Sequence, residues 1–105
     1  MIPEIDVDAL FARMGGDIQL IDVRENHEYV EAHVPGAQLF ALSELADRVE
    51  DLPAGPLVII CKSGGRSMTA CEFLAANGRE ATNVAGGTMG WIESGREVVI
   101  GSERG

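Results

Sequence analysis

The sequence predicts a single α/β domain built on a small parallel β-sheet with helices on both faces. Short segments of β-prone apolar residues alternate with segments of helical periodicity along the chain. Short turns rich in glycine and proline join them, as is typical of strand–helix–strand units. A chain of 105 residues has room for one modest hydrophobic core, so no second domain is expected.

The amino-terminal half alternates between the two kinds of element. The predicted strands are residues 2–5, 18–23 and 37–40, the first of them a short edge strand. A helix is predicted after each strand, and each helix is expected to begin at a side chain that can cap it: Asp6, Asn26 and Ser43. This order predicts parallel strands, because a helix between two strands returns the chain to the same edge of the sheet.

The carboxyl-terminal half is organised around the apolar run Leu57–Ile60, which is predicted to be a buried central strand. Ser67 is suited to cap the helix that follows. The remaining predicted elements are a strand at 81–84, a helix at 88–94 and an extended piece at 98–100. The domain is expected to span residues 1–100, and residues 101–105 are expected to form a flexible tail.

The charge of the chain restricts its partners. Eight basic residues against 17 acidic ones give a net charge of −9, which repels nucleic acid and acidic membrane surfaces. The longest apolar run is far shorter than a membrane span, and the first residues lack the features of a signal peptide. We therefore expect a cytoplasmic protein that binds neither nucleic acid nor membrane.

The two cysteines, Cys61 and Cys71, do not indicate a structural disulfide, because the chain shows no secretory signal. No Cys/His pair has zinc-site spacing, so neither a metal nor another cofactor is expected. Cys71 falls on the apolar face of its predicted helix. It is therefore expected in the core, with a resolving cysteine as the alternative role.

The candidate chemistry lies in the segment Cys61–Ser67, here called the cysteine loop. The central strand delivers Cys61 to the carboxyl edge of the sheet, where parallel α/β proteins bind ligands, and the loop faces a helix amino terminus. A free thiol has a pKa of about 8.5, and backbone N–H groups together with the helix dipole favour its anion. Cys61 is thus predicted to be a nucleophile in an anion-binding loop. The other loop residues are Lys62, Ser63, Gly64, Gly65, Arg66 and Ser67.

Each loop residue has a predicted role. Gly64 and Gly65 allow the backbone to turn its N–H groups inward, and Ser63 and Ser67 carry hydroxyls that can donate to an anion. Lys62 adds positive potential near the mouth. For Arg66 the sequence leaves two roles open: a planar fork for an anionic substrate group, or hydrogen bonds that hold the loop in shape.

Three residues outside the loop are predicted to support it. Asp22 and Arg24 lie on the same side of a strand that should neighbour the central one. The favoured interpretation is an ion pair that braces the loop together with Glu28, and the alternative is direct contact with the substrate.

The cysteine loop resembles the active-site loop of rhodanese-type sulfurtransferases. Two other stretches are similar to the signatures of that family: residues 20–24 with Glu28 and residues 32–37 on the amino-terminal side, and residues 86–91 on the carboxyl-terminal side. The resemblance implies a single-domain rhodanese-like fold in which Cys61 carries sulfur as a persulfide. It implies transfer from thiosulfate or a similar small anionic donor to a thiol or cyanide acceptor, with a thioredoxin-like or sulfur-carrier protein as a possible partner.

Two alternatives stay open. Cysteine-dependent phosphatases and arsenate reductases also use a thiolate in a loop closed by arginine, but they resemble a pattern with one residue more than the four that separate Cys61 from Arg66. A non-catalytic sensing or docking module on the same fold is the other alternative. The intact cysteine loop favours an enzyme over that module.

Overall fold

The computed structural model describes all 105 residues as a five-stranded sheet flanked by helices. The strands are β1 (Glu4–Ile5), β2 (Gln19–Asp22), β3 (Gln38–Leu39), β4 (Leu57–Ile60) and β5 (Ala81–Val84). The α-helices are α1 (Val7–Arg13), α2 (Asn26–Glu31), α3 (Leu42–Arg48), α4 (Gly65–Ala76) and α5 (Gly87–Glu93). A short 3-10 helix, Val49–Asp51, follows α3.

All strand pairs are parallel, and the strand order is β1-β5-β4-β2-β3. The run Leu57–Ile60 is the central strand, and β1 lies at one edge, as predicted. All four residues of β4 are buried, because helices cover both faces of the sheet. The predicted α/β class and the parallel sheet are confirmed.

The alternation along β4 divides the hydrophobic core in two. Leu57 and Ile59 pack with the residues of α3 and α4, whereas Val58 and Ile60 face the opposite cluster, which includes Trp91 of α5. Cys61 continues this alternation onto the side of α4. The sulfur is therefore directed toward the helix that begins just after the loop.

Only one of the predicted amino-terminal caps is correct. Asp6 accepts a hydrogen bond from Ala9 N at 2.8 Å and caps α1. Helix α2 is instead capped by Glu25 in a capping box, and Asn26 is its first residue. Ala41 precedes α3, and Ser43 donates to the Glu25 carboxylate rather than capping its own helix.

The last residues do not match the frayed tail expected for 101–105. His33 Nε2 lies 2.7 Å from the carbonyl oxygen of Glu103, and Gly36 N donates to Arg104 O at 2.6 Å. Val99 also forms an antiparallel bridge with His33. The carboxyl terminus is thus held against the turn that precedes β3, because that turn offers backbone groups that the tail can pair.

Candidate active site

Cys61 lies directly after β4, with its sulfur at the base of the cysteine loop. The Sγ atom is 3.1 Å from Gly64 N and 3.2 Å from Ser67 Oγ. The residue is only 1% exposed, although Lys62 and Ser63 beside it are exposed. A thiol therefore sits under a surface loop, among hydrogen-bond donors.

These donors determine the ionisation of Cys61. Burial by itself raises the pKa of the thiol, but hydrogen bonds from the Ser67 hydroxyl and from the N–H groups of Ser67, Gly64 and Ser63 outweigh it. The net effect is a pKa below that of an ordinary cysteine. The hydrogen-bond donors of the loop therefore favour negative charge at the sulfur.

The backbone of the loop depends on Gly64. This residue has a φ of 113° and immediately precedes α4, so the helix begins at Gly65. Ser67 lies inside the first turn rather than before it, and its predicted role as a helix cap is wrong. A left-handed glycine starts the helix earlier, which releases the Ser67 side chain to contact Cys61 and Asn83.

Arg66 donates no hydrogen bond to Cys61 but forms a two-pronged ion pair with Glu28 of α2. The Nη1–Oε1 and Nη2–Oε2 distances are 2.7 and 2.8 Å, and the Arg66 side chain is 38% exposed. The hydrogen bonds from Arg66 lower the pKa of Glu28 to about 2, although burial opposes this shift. The stabilisation from this pair is complete above the ordinary pKa of Glu28 and is lost as the pH falls toward 2.

Asp22 and Arg24 form a second ion pair, which is buried. Arg24 Nη2 lies 2.8 Å from Asp22 Oδ2 and also donates to the carbonyl oxygen of Ala32 at 2.7 Å. Glu28 pairs with Arg66 and not with these two residues. The structure thus contains two separate braces, one between β2 and the end of α2 and one between α2 and the cysteine loop.

Four residues that hold the loop were not identified from the sequence. Thr88 N and Met89 N donate to the carbonyl oxygens of Cys61 and Lys62 at 2.9 and 3.0 Å. A Cβ on Gly87 would lie 2.5 Å from Lys62 O, so only glycine fits there. Asn83 binds Ser67 and Gly64. Only the resemblance of residues 86–91 to the family's carboxyl-terminal signature pointed to this region, and nothing singled out Asn83.

A cavity of about 190 Å³ opens beside the loop, between α2 and α5. Its lining includes Arg24, Glu28, Glu31, Lys62, Met89 and Ile92. A larger open depression of about 870 Å³ lies at the opposite, amino-terminal end of the strands, around Pro56 and Arg79. The smaller cavity is the one next to the cysteine loop. Of the two cationic side chains that line it, Arg24 is paired with Asp22, whereas Lys62 has no carboxylate partner.

The chain has no group of three or more His, Cys, Asp or Glu side chains placed to hold a metal ion. None of its helices is long and apolar enough to cross a membrane.

Cys71 has surroundings opposite to those of Cys61. It is fully buried in the core cluster under α4. Burial, with the negative charge of Glu72 adding to it, raises the pKa of its thiol to about 12. Its expected place in the core is confirmed.

The two thiols should therefore react differently with iodoacetamide at neutral pH. Cys61 is expected to be carboxamidomethylated well before Cys71, because only the thiolate attacks. The Cys61 rate should persist to a lower pH than that of a free cysteine, since its pKa is depressed. Peptide mass mapping of a time course at several pH values measures both rates. Equal labelling of the two cysteines in the folded protein would contradict this assignment.

Comparison with known proteins agrees with the fold. The family model of the rhodanese-like domain matches residues 6–94. The chain is 38% identical over 93 residues to a Bacillus subtilis protein named "Putative sulfurtransferase YtwF", covering 86% of this chain and 90% of that one. It is 35% identical over 94 residues to "Putative sulfur carrier protein YrkF" of the same organism, covering 86% of this chain and 51% of that one.

Comparison with a solved structure points to the same family. The rhodanese-related protein from Thermoplasma volcanium superposes with a TM-score of 0.88 at 30% identity, over 93% of this chain and 98% of that one. The α/β fold, with its cysteine at the carboxyl end of the central strand, is a rhodanese-like domain. The chain belongs to the rhodanese-like domain family, and its relatives include proteins named as sulfurtransferases.

Proposed function

We propose that this protein is a sulfurtransferase that moves a sulfane sulfur from a small anionic donor to a nucleophilic acceptor through a persulfide on Cys61. The observation that carries the proposal is the placement of Cys61 Sγ within 3.1 Å of Gly64 N and 3.2 Å of Ser67 Oγ. These donors favour the thiolate, and the loop amides are suited to stabilise charge on a transferred sulfur. The sulfurtransferase name of a relative that this chain matches over most of its length supports it.

The first step balances without a redox partner. The Cys61 thiolate attacks the outer sulfur of thiosulfate, the bond between the two donor sulfurs breaks, and sulfite leaves with that electron pair. Cys61 then carries a persulfide whose negative charge lies on the outer sulfur. In the second step an acceptor thiolate or cyanide attacks that outer sulfur and restores the Cys61 thiolate. No proton has to move in either step, so the proposal assigns no acid or base role to His27 or His33.

The partners follow from this chemistry. The donor is a small anion with a sulfur–sulfur bond, and the acceptor is a soft nucleophile such as cyanide, a small thiol, a thioredoxin-like protein or a sulfur carrier. The name of one relative as a sulfur carrier supports a carrier as acceptor. Because the reaction needs reduced Cys61, we expect it to run in the cytoplasm, where thiols are kept reduced.

Intact mass measurement tests the proposal directly. The purified protein is incubated with thiosulfate, desalted, measured, and measured again after cyanide. The expected result is a gain of one sulfur atom and its loss as thiocyanate. The absence of sulfur gain with thiosulfate, alkylthiosulfonates and small-molecule persulfides would overturn the proposal. Phosphatase or arsenate reductase turnover dependent on Cys61 would replace it with oxyanion chemistry.

The pairing of Arg66 with Glu28 leads to a prediction about the donor. In the resting site the Arg66 charge is neutralised, so Arg66 contributes little to the binding of a dianion. Glu28→Gln keeps one hydrogen bond to Arg66 but frees its charge. Glu28→Gln should raise the ratio of kcat/KM for thiosulfate to kcat/KM for methanethiosulfonate about fivefold. The reason is that one additional negative charge on the donor, close to an unpaired Arg66 guanidinium, is worth about 1 kcal/mol in water.

These two donors suit the comparison because both transfer their outer sulfur, while thiosulfate carries one negative charge more. Steady-state rates with cyanide as acceptor give the ratio for the wild-type protein and for Glu28→Gln. An unchanged ratio would assign Arg66 to the shape of the loop alone. A fall in both rates by the same factor would have the same meaning, because loss of loop shape affects both donors equally.

A further inference from the structure

Asn83 of β5 forms hydrogen bonds that lead to the reactive sulfur through Ser67. The side chain is 1% exposed, and its Oδ1 atom accepts a hydrogen bond from the Ser67 hydroxyl. Its Nδ2 atom donates to Glu4 Oε2 at 2.8 Å and lies 3.3 Å from Gly64 O. Ser67 Oγ in turn lies 3.2 Å from Cys61 Sγ.

The orientation of the Asn83 amide is fixed by these neighbours. Glu4 Oε2 and Gly64 O are both acceptors, so the NH₂ group must face them. A flipped amide would place Oδ1 against a carboxylate and a carbonyl. The Oδ1 atom therefore faces Ser67, where it needs a donor, and Ser67 Oγ–H is the one that it has.

The Ser67 hydroxyl has a single proton and two groups that require it. When Cys61 is a thiol, its S–H donates to Ser67 Oγ while Ser67 donates to Asn83, and every group is paired. When Cys61 is a thiolate, Ser67 can donate to the sulfur only by leaving Asn83 Oδ1 without its donor. Because Asn83 is buried, an unpaired Oδ1 has a free-energy cost comparable to the bond that Ser67 gains.

We propose that Asn83 is a positioning residue that competes with the Cys61 thiolate for the Ser67 proton and thereby limits the ionisation of Cys61 in the resting protein. Under the proposed function the competition favours the loaded state. In the persulfide the negative charge lies on the outer sulfur, so Cys61 Sγ no longer requires the Ser67 proton, which returns to Asn83.

Titration of Cys61 tests the competition. Asn83→Leu replaces the amide by an apolar side chain of similar size that cannot accept a hydrogen bond. The Ser67 proton is then free for the thiolate, and the midpoint of Cys61 ionisation should fall by about one pH unit. The thiolate absorbance in the ultraviolet follows the ionisation, in a Cys71→Ala background so that Cys61 is the sole thiol.

A double-mutant cycle separates this effect from a general change of polarity. In a Ser67→Ala background the competition is absent, so Asn83→Leu should leave the midpoint within about 0.2 pH units. The same shift in both backgrounds, or no shift in either, would overturn the proposal. Asn83→Asp, combined with Glu4→Gln so that its second carboxylate oxygen faces an amide donor instead of the Glu4 carboxylate, gives an arm that does not require an apolar residue at this site, with Glu4→Gln alone as its reference. Its carboxylate holds the Ser67 proton more strongly and repels the thiolate, so the midpoint should rise by about one pH unit or more.

The rise of the Cys61 midpoint caused by Asn83→Asp should be smaller in the Ser67→Ala background. Only the repulsion between the introduced carboxylate and the Cys61 thiolate remains there. An equal rise in both backgrounds would count against the competition. The titration uses no sulfur donor, so its outcome is independent of sulfur transfer. A protein that accepts no sulfur but shows the predicted midpoints would disprove the proposed function and leave this inference intact.

Discussion

We expect Cys61→Ser to lose sulfur transfer from thiosulfate by roughly a thousandfold or more, because a covalent step without its nucleophile keeps only binding and positioning. Serine is close in size to cysteine and can keep the contacts with Gly64 N and Ser67 Oγ. Its hydroxyl, however, does not ionise near neutral pH, and an alkoxide is a poor match for sulfane sulfur. Thiocyanate formation from thiosulfate and cyanide measures the loss, and intact mass detects the missing persulfide.

Cys71→Ala is the matched control for this result. Cys71 is fully buried on the apolar face of α4 and has a strongly raised pKa. Its removal should leave the sulfur gain intact while lowering stability slightly through the small cavity that it creates. If folded Cys71→Ala lost the sulfur gain, or folded Cys61→Ser kept it, Cys61 would not be the carrier of the sulfur.

The position of Cys61 could be predicted because it depends on local pattern. A run of four β-prone residues between turn signals predicts a buried strand, and Leu57–Ile60 is the central strand in the structure. The start of the following helix was misplaced for a reason that is also local. Ser67 is a good cap by residue type, but Gly64 adopts a positive φ and starts α4 before Ser67 is reached.

The contacts between distant segments could not be predicted from local pattern. The sequence groups Glu28 with Asp22 and Arg24 as a brace of the loop. The actual partner of Glu28, Arg66, is 38 residues away and is brought close by the packing of α2 against the loop. Asn83 likewise reaches Ser67 only because β5 pairs with β4. Side-chain partners of this kind depend on strand order, which periodicity along the chain does not specify.

Gly87→Ala is expected to destabilise the protein strongly although it adds only one methyl group. Gly87 has a φ of 58°, and a Cβ there would lie 2.5 Å from Lys62 O and 2.6 Å from Cys61 O. Both neighbours are backbone atoms that accept hydrogen bonds from Met89 N and Thr88 N, so they cannot move away without breaking those bonds. Overpacking and an unfavourable φ together should lower the free energy of unfolding by about 3 kcal/mol.

Gly90→Ala, in the same helix, is the control that isolates the contact with the loop. The nearest neighbour of its added Cβ is Val7 Cγ1 at 3.5 Å, an ordinary contact, and alanine favours a helix interior over glycine by about 0.5 to 1 kcal/mol. Urea denaturation should therefore show Gly90→Ala at or slightly above the wild-type midpoint and Gly87→Ala far below it. Equal midpoints would mean that α5 does not support the cysteine loop as described. A folded Gly87→Ala should also load sulfur more slowly, since any shift that accommodates its Cβ displaces the Cys61 carbonyl and, with it, the sulfur.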